Sequence, residues 1–305
     1  MRPLPPPDPA FGDARAADLI EMEILPRARD IGGFTVGRVL PTARRQMVGP
    51  FIFLDAFGPG EQLITEKFDV RPHPHIGLAT VTYLLAGSIV HRDSVGSLQA
   101  IEPGDVNWMT AGRGIAHSER APKEALGTTR AVGGFQTWVA LPKTNEEAPP
   151  AFAHHGRDAL PVIGGDGAAV RLVVGTLYGE RAPVTTFSDT VYADIALDAG
   201  ARLPVDAEPE ERAVYIMTGT VEIGGDSFEA GRMLVFRPGD RLTIAAKTPA
   251  RMILLGGATM DGPRHIWWNF VSSSKERIEA AKEDWRSGRF DKVFGDETDF
   301  IPLPE

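Results

Sequence analysis

The chain alternates short apolar runs with residues that favour turns. In the first half these runs occupy residues 47–57, 79–85, 106–109 and 135–139. The run at 79–85 is rich in β-branched and aromatic residues and is followed by Ala86 and Gly87, the composition of a strand that ends in a turn. The second half repeats the rhythm at residues 170–174, 192–197, 213–217, 220–223, 233–236 and 252–255. This pattern predicts an all-β fold of short strands.

One segment near the C-terminus has helical periodicity instead. Residues 275–287 follow Ser274, which can cap a helix, and precede Gly288, which can stop one. The apolar stripe of this segment consists of Ile278, Ala281 and Trp285. Because its charges are mixed, we expect a solvated amphipathic helix that packs on a β-barrel.

An internal repeat accompanies the strand pattern. The sequence Tyr-Leu-Leu-Ala-Gly-Ser-Ile at 83–89 resembles Tyr-Ile-Met-Thr-Gly-Thr-Val at 215–221, and a pair of glycines with the same spacing follows in each half. Two copies of one β-barrel explain this most simply, and a chance match of hairpin segments is the alternative. Breaker residues cluster between 142 and 167, which predicts an N-terminal domain at 1–145 and a C-terminal domain with the helix at 146–305.

Composition fits two globular domains and excludes several classes of function. The 305 residues are 43% hydrophobic and 24% charged, and the net charge of −9 comes without a cluster of Lys and Arg. Direct nucleic-acid binding is therefore not expected, whereas a protein partner stays possible. The absence of cysteine excludes disulfides, zinc–thiolate sites and iron–sulfur clusters. We see no signal peptide and no apolar run long enough for a membrane span, so we expect a cytoplasmic protein that does not bind membranes.

Two histidine-bearing pairs suggest a metal site in the first half. His73 and His75 are separated by one residue, and so are His117 and Glu119. In an extended strand residues i and i+2 face the same side, so each pair can reach one point. Three imidazoles and one carboxylate suit Fe, Ni, Cu, Mn, Co or Zn. A lone His-x-His pair is more often a surface feature or a packed residue, but two such pairs in one predicted barrel favour a metal site.

The remaining histidines are weaker candidates. His91 is expected in a pocket or at the surface, His154 and His155 in a solvated linker, and His265 in a structural position. In the second repeat, the predicted counterparts of the four ligands are Val205, Ala207, Ile244 and Ala246, and residues 156–264 contain no histidine. The second barrel is therefore predicted to lack metal ligands.

Residues 71–87 and 103–119, which contain these motifs, resemble the pirin family of the cupin superfamily. The resemblance implies a bicupin: two antiparallel β-barrels of the jelly-roll type with a short C-terminal helix. It also implies one divalent transition metal, iron first among the alternatives, bound through His73, His75, His117 and Glu119. Ala79 departs from the glutamate that cupins and many pirins carry at that position, which leaves Glu119 as the only carboxylate ligand.

The resemblance implies two kinds of function. The first is a metal-dependent dioxygenase of the quercetin 2,3-dioxygenase type, which opens a flavonol-like phenolic ring with O2 and releases carbon monoxide. Glu119 would be its catalytic base. Candidate pocket walls are Phe51, Phe53, Trp108 and Met109, although for each of them a core position is favoured over substrate contact. The alternative is a non-catalytic metal-dependent regulator or redox sensor that acts through a protein partner. A cupin isomerase or sugar binder is disfavoured, because no Lys- or Arg-rich phosphate site lies near the metal motifs.

Overall fold

The computed structural model describes residues 15–31, 34–64, 69–239 and 241–305, with the side chains of 59 and 61–63 excepted. Most of the proline-rich N-terminal segment lies outside the described residues. The chain forms two compact units. The histidine unit comprises Arg27–Pro41, Ile52–Arg157 and Met260–Glu305, and the aliphatic unit comprises Met1–Pro26, Thr42–Phe51 and Asp158–Thr259. None of the described helices is both long enough and apolar enough to cross a membrane.

Strands dominate both units. In chain order the elements are α1 (Ala16–Leu19), β1 (Ile20–Ile24), β2 (Arg27–Asp30), β3 (Thr35–Leu40), β4 (Phe51–Leu63), β5 (Val70–His75), β6 (Leu78–Ala86), β7 (Ile89–Asp93), β8 (Leu98–Ile101), β9 (Val106–Thr110), β10 (Ile115–Arg120), β11 (Thr129–Ala140), β12 (Ala151–His155), β13 (Val162–Gly165), β14 (Ala168–Leu177), β15 (Glu180–Arg181), β16 (Thr190–Leu197), β17 (Arg202–Val205), β18 (Glu211–Thr218), β19 (Thr220–Ile223), β20 (Asp226–Glu229), β21 (Arg232–Phe236), β22 (Leu242–Ala246), β23 (Ala250–Gly257), β24 (His265–Trp267), β25 (Phe270–Ser272) and α2 (Lys275–Arg286). Short 3-10 turns lie at Lys123–Ala125, Lys143–Asn145 and Arg157–Ala159.

Each unit is a jelly roll of a larger and a smaller antiparallel sheet. In the histidine unit the larger sheet has the order β12-β9-β6-β11-β4-β3-β2 and the smaller one β5-β10-β7-β8. In the aliphatic unit the orders are β1-β21-β18-β23-β16-β14-β13, with β15 on β14, and β17-β22-β19-β20. The expected all-β fold of two cupin domains is confirmed.

The two units share one strand order, which agrees with the sequence repeat. Gly87 connects β6 to β7 with φ +79°, and Gly219 connects β18 to β19 with φ +82°. A Cβ at Gly219 would lie 2.3 Å from the Pro249 carbonyl oxygen, so glycine is required there. At the edge of the larger sheet, β1 pairs with β21 as β12 pairs with β9. The first strand of the chain therefore completes the aliphatic unit.

The local predictions agree closely with the structure. Each predicted strand overlaps an observed one, and residues 220–223 match β19. Helix α2 ends one residue earlier than predicted, and the Ser274 hydroxyl accepts a 3.2 Å hydrogen bond from the Arg277 backbone N–H.

The place of α2 differs from the expected division of the chain. Ile278 and Ala281 pack with Ile76 and Phe270, so the helix belongs by its contacts to the histidine unit and not to the second barrel. Residues 146–157 also belong to the histidine unit. The chain returns to the histidine unit after residue 259, so the two units do not follow sequence order.

Candidate metal centre and the adjoining pocket

Strands β5 and β10 bring three histidines together. The strands are antiparallel, with His117 opposite His73 and Ile115 opposite His75. One ring nitrogen from each histidine lies within 4.8 Å of the others, a group that could hold a metal ion. Nε2 of His75 and Nε2 of His117 are 3.1 Å apart. The exposed fractions of His73, His75 and His117 are 5%, 1% and 0%, so this group is buried.

Backbone carbonyls orient two of the three rings. Nδ1 of His73 is 2.8 Å from the Arg71 carbonyl oxygen, and Nδ1 of His75 is 3.1 Å from the Asn269 carbonyl oxygen. A carbonyl oxygen only accepts, so the proton of each neutral ring is on Nδ1. Each Nε2 therefore has an unprotonated lone pair available to a cation.

The electrostatics of the group also suit a cation. Burial lowers the pKa of His73 to about 4 and lowers the pKa values of His75 and His117 well below the ordinary histidine value, and neighbouring histidines add to the effect. The rings are therefore neutral at pH 7. Neutral nitrogen donors that converge in a buried space match borderline transition metals.

Glu119 lies beside this group but outside it. Between His117 and Glu119 the chain advances two residues along β10 but three along β5, so the extra residue of this irregular pairing lies in β5 and changes what Glu119 faces there. The Glu119 side chain is half-buried, and burial raises its pKa. The Thr82 hydroxyl oxygen lies 3.3 Å from Oε1 of Glu119 and 2.8 Å from Oε1 of Gln136, and its single proton can be donated to one of these two acceptors. The structure thus brings together three of the four predicted ligands, and ligation by Glu119 stays a prediction.

A pocket of about 360 Å³ adjoins the histidines and is largely aromatic. The rings of Phe53 and Trp138 stack with centroids 4.0 Å apart and an angle of 13° between their planes. The guanidinium group of Arg38 lies over the Phe53 ring, 4.4 Å from its centroid, and donates two 2.8 Å hydrogen bonds to the Asp55 carboxylate. Trp138 also meets His75 edge-on at 5.2 Å. A flat ligand would find both an aromatic surface and the histidine group here.

Only one of the four candidate pocket walls lines this pocket. Phe53 does. Phe51 instead stacks on Tyr192 within the aliphatic unit, with centroids 5.8 Å apart. Trp108 and Met109 are 3% and 1% exposed in β9 and belong to the core. For these three residues the structure agrees with the core position that the sequence favoured, and nearness in sequence to a motif does not determine which face of a sheet a residue occupies.

Several pocket residues are absent from the sequence prediction. Trp138 and Gln136 are two residues apart in β11, so their side chains share one face, and both line the pocket. The polar side chain of Gln136 could have indicated from the sequence that this face is not part of the core. Trp268 and Asn269 form the turn between β24 and β25, with Trp268 at φ +52°, a strained value for a bulky residue. Ile301 in the C-terminal segment also lines the pocket. No local pattern connects these last residues to the histidines.

The other histidines considered in the sequence, and Ala79, lie outside the three-histidine group. His91 is buried, at 3% exposed, and is bonded to Asp93. His154 and His155 are half-buried in strand β12 and not in a solvated linker. Ala79 is fully buried in β6, where it offers no carboxylate to the site.

Comparison with known proteins determines the family. The Pirin family model matches residues 33–139, and the Pirin C-terminal cupin domain model matches residues 192–291. A Pirin-like protein from Caulobacter vibrioides is 47% identical over 292 residues, covering 94% of this chain and 100% of that protein. The chain belongs to the pirin family.

Two further relatives of this pirin have names that refer to an activity. A Pseudomonas aeruginosa protein, 38% identical over 91% of this chain and 89% of its own length, is named provisionally as a quercetin 2,3-dioxygenase. A crystal structure described as quercetin 2,3-dioxygenase from Acinetobacter baumannii has a TM-score of 0.87 and 33% identity, covering 95% of this chain and 96% of that one.

Proposed function

We propose that this chain is a metal-dependent dioxygenase that opens a flavonol-like planar phenol with O2. The observation that carries the proposal is the position of three buried, neutral imidazoles beside an aromatic pocket of about 360 Å³. The likeness to a solved protein described as quercetin 2,3-dioxygenase supports the same substrate class. We expect the reaction in the cytoplasm.

In this proposal His73, His75, His117 and Glu119 hold one divalent transition metal. Iron is the first expectation, and the nitrogen and oxygen donors also accept Ni, Cu, Mn, Co or Zn. When bound, such a metal would supply Lewis acidity toward a phenolic oxygen, and all of these metals except Zn would also supply a redox-capable centre for O2. The three histidines enter as neutral donors, because burial keeps their pKa values low.

The pocket residues bind and orient the substrate. Trp138, supported by Phe53 on one face, offers a flat apolar surface on which a planar phenol can lie. The bidentate ion pair to Asp55 holds Arg38 against Phe53 and so supports the stack from its other side. Apolar walls also exclude water from reactive species that form during ring opening.

Glu119 accepts the phenolic proton in this proposal. Its carboxylate lines the pocket, and burial raises its pKa, which makes it a stronger base than an exposed glutamate. A proton moved from the phenolic hydroxyl to Glu119 leaves an electron-rich phenolate for reaction with O2. The product is a ring-opened ester that retains both oxygen atoms of O2, and one ring carbon leaves as carbon monoxide.

An aerobic assay tests this proposal. Protein loaded with iron, nickel or copper is mixed with quercetin, and loss of the flavonol absorbance is followed together with release of carbon monoxide. We expect turnover with at least one metal, none in His75→Ala, and a rate about 100- to 10,000-fold lower in Glu119→Gln. His154→Ala is the matched control, since His154 bonds to Asn107 and is not part of the histidine group. No ring opening with any of the three metals would overturn the proposal.

A further inference from the structure

The third histidine of the group has an outer partner of a different kind from the other two. His73 and His75 point Nδ1 at backbone carbonyl oxygens, whereas Nδ1 of His117 lies 3.5 Å from Nδ1 of another histidine, His91. We infer that Asp93 and His91 form a hydrogen-bonded relay that fixes the proton of His117 on Nδ1 and so presents Nε2 to the metal site. Asp93 and His91 are positioning residues here, and the inference rests on the proposed role of His117 as a ligand.

The relay begins at a fully buried carboxylate. Asp93 is 0% exposed and lies in β7, opposite His117 of β10. Its Oδ1 accepts hydrogen bonds from the backbone N–H groups of Val95 and Ser97, at 3.0 and 2.9 Å. Its Oδ2 lies 3.0 Å from Nε2 of His91. Because a carboxylate accepts and does not donate, His91 must have its proton on Nε2.

His91 passes this constraint to His117. In the relay that we infer, His91 has one proton, on Nε2, so its Nδ1 has a lone pair and can only accept. The facing nitrogen, Nδ1 of His117, therefore donates, and Nε2 of His117 is left unprotonated, 3.1 Å from Nε2 of His75. The His91 ring cannot turn freely, since it is 3% exposed and stacks on Phe152 with centroids 4.4 Å apart and planes at 16°.

The consequence for metal binding follows from this tautomer. If the relay were reversed, the proton of His117 would lie on Nε2 and occupy the lone pair that a metal needs. Metal would then have to displace that proton against the hydrogen bonds around it. Outer partners of ligating histidines typically contribute about 10- to 100-fold to metal affinity.

Two substitutions separate the relay from ordinary packing. In Asp93→Asn the two backbone N–H groups hold the amide oxygen in the place of Oδ1, so the new NH2 group faces His91 and reverses its tautomer. His91→Phe removes the relay but keeps a ring to stack on Phe152. In the double variant the identity of residue 93 no longer matters to His117. We therefore expect the double variant to bind metal no more weakly than His91→Phe alone.

The experiment has a spectroscopic arm and an affinity arm. In uniformly ¹⁵N-labelled wild type, with and without Zn²⁺, we expect a through-hydrogen-bond ¹⁵N–¹⁵N coupling between Nδ1 of His117 and Nδ1 of His91. Zn²⁺ affinity, measured by competition with a chelating dye, should fall about 10- to 100-fold in Asp93→Asn and in His91→Phe. His154→Phe should leave it unchanged.

The outcomes distinguish this inference from the proposed function. A His91 Nδ1 that carries a proton, or Zn²⁺ affinities equal to wild type in both single variants, would overturn the relay while the metal site stands. Additive losses in the double variant would show that Asp93 acts only through the β7–β8 turn, and would also overturn it. If wild type bound no Zn²⁺, the metal site would fail, and the coupling in the metal-free protein would still decide the relay.

Discussion

The smaller sheets of the two units place different chemistry in equivalent positions. In the histidine unit β5 pairs with β10 and sets His73 opposite His117. In the aliphatic unit β17 pairs with β22 at the same place in the strand order and sets Leu203 opposite Ile244. Leu203 and Ile244 are both 0% exposed and belong to one continuous aliphatic core. One framework therefore accommodates either a donor group or hydrocarbon.

The difference shows what a buried donor group requires. Leu203 and Ile244 need only neighbours of suitable shape, whereas each imidazole needs a polar partner on the side that faces away from the group. Those partners are two carbonyl oxygens and the His91 ring. Beside the donor group the histidine unit also keeps an open pocket. At the equivalent place in the aliphatic unit, Leu203 and Ile244 pack into an aliphatic core instead.

Transfer of the aliphatic pair into the histidine unit should have the largest effect. We expect His73→Leu with His117→Ile to lose its metal completely, because a single ligating histidine remains. The metal-free form should unfold at the same or a higher temperature than metal-free wild type, because opposed lone pairs are replaced by hydrocarbon. Elemental analysis and thermal unfolding with a chelator measure both. Retention of about one metal ion per chain would contradict the proposed ligand set.

The reverse transfer should destabilise without creating a site. Leu203→His with Ile244→His buries two imidazoles that have no prepared acceptors, at a cost of about 1–3 kcal/mol for each. Denaturant unfolding measures the loss, and Leu203→Ile with Ile244→Leu serves as the volume-matched control. Uptake of metal by the double-histidine variant would show that outer partners are unnecessary, and the comparison between the units would fail.

Acid should weaken the metal-free histidine unit in a defined interval. The pKa of His73 is about 4 in the folded chain against 6.5 ordinarily, so between these values the unfolded chain binds a proton that the folded chain refuses. Stability therefore falls as the pH decreases from about 6.5 to about 4, by about 3 kcal/mol from this residue. Urea unfolding of chelator-treated protein at several pH values measures the slope. His73→Leu should reduce the slope, while His75 and His117 still contribute to it, and an equal slope in that variant would refute the assignment.

The smallest expected effects come from substitutions of two phenylalanines in β4, one in the pocket and one in the aliphatic unit. Phe53 stacks on Trp138 in the pocket, whereas Phe51 stacks on Tyr192 in the aliphatic unit. Because such a stack contributes about 0.5–1.5 kcal/mol, Phe53→Leu should weaken quercetin binding about 2- to 10-fold. Phe51→Leu should lower stability and leave binding unchanged. Anaerobic fluorescence titration and thermal unfolding measure the two; equal effects on binding would mean that Phe53 does not contact the ligand.

Local patterns in the sequence predicted the strands and the histidine pairs well. Strand alternation depends on neighbouring residues, so His73 and His75 could be placed on one face of a strand before any fold was known. The register of distant strands was harder. The offset between the two sequence repeats predicted Val205 as the counterpart of His73 in the aliphatic unit. The pairing of β17 with β22 shows instead that Leu203 occupies the equivalent position. The connection from β17 to β18 is longer than that from β5 to β6, which shifts the count.

Contacts from the end of the chain could not be predicted in this way. Asn269 supplies the acceptor for His75 across 194 residues, and no periodicity extends over such a distance. Trp268 and Ile301 reach the pocket through the same C-terminal segment.

The return of the C-terminal segment has a consequence for biosynthesis. All four predicted ligands leave the ribosome within the first 119 residues, yet the carbonyl that orients His75 is made 194 residues after it. Strand β1, made first, likewise waits for β21. A nascent or prematurely terminated chain therefore presents its histidines without their finished surroundings. If these histidines bind a metal as proposed, a chain that ends before residue 269 would present His75 without the acceptor that orients its ring.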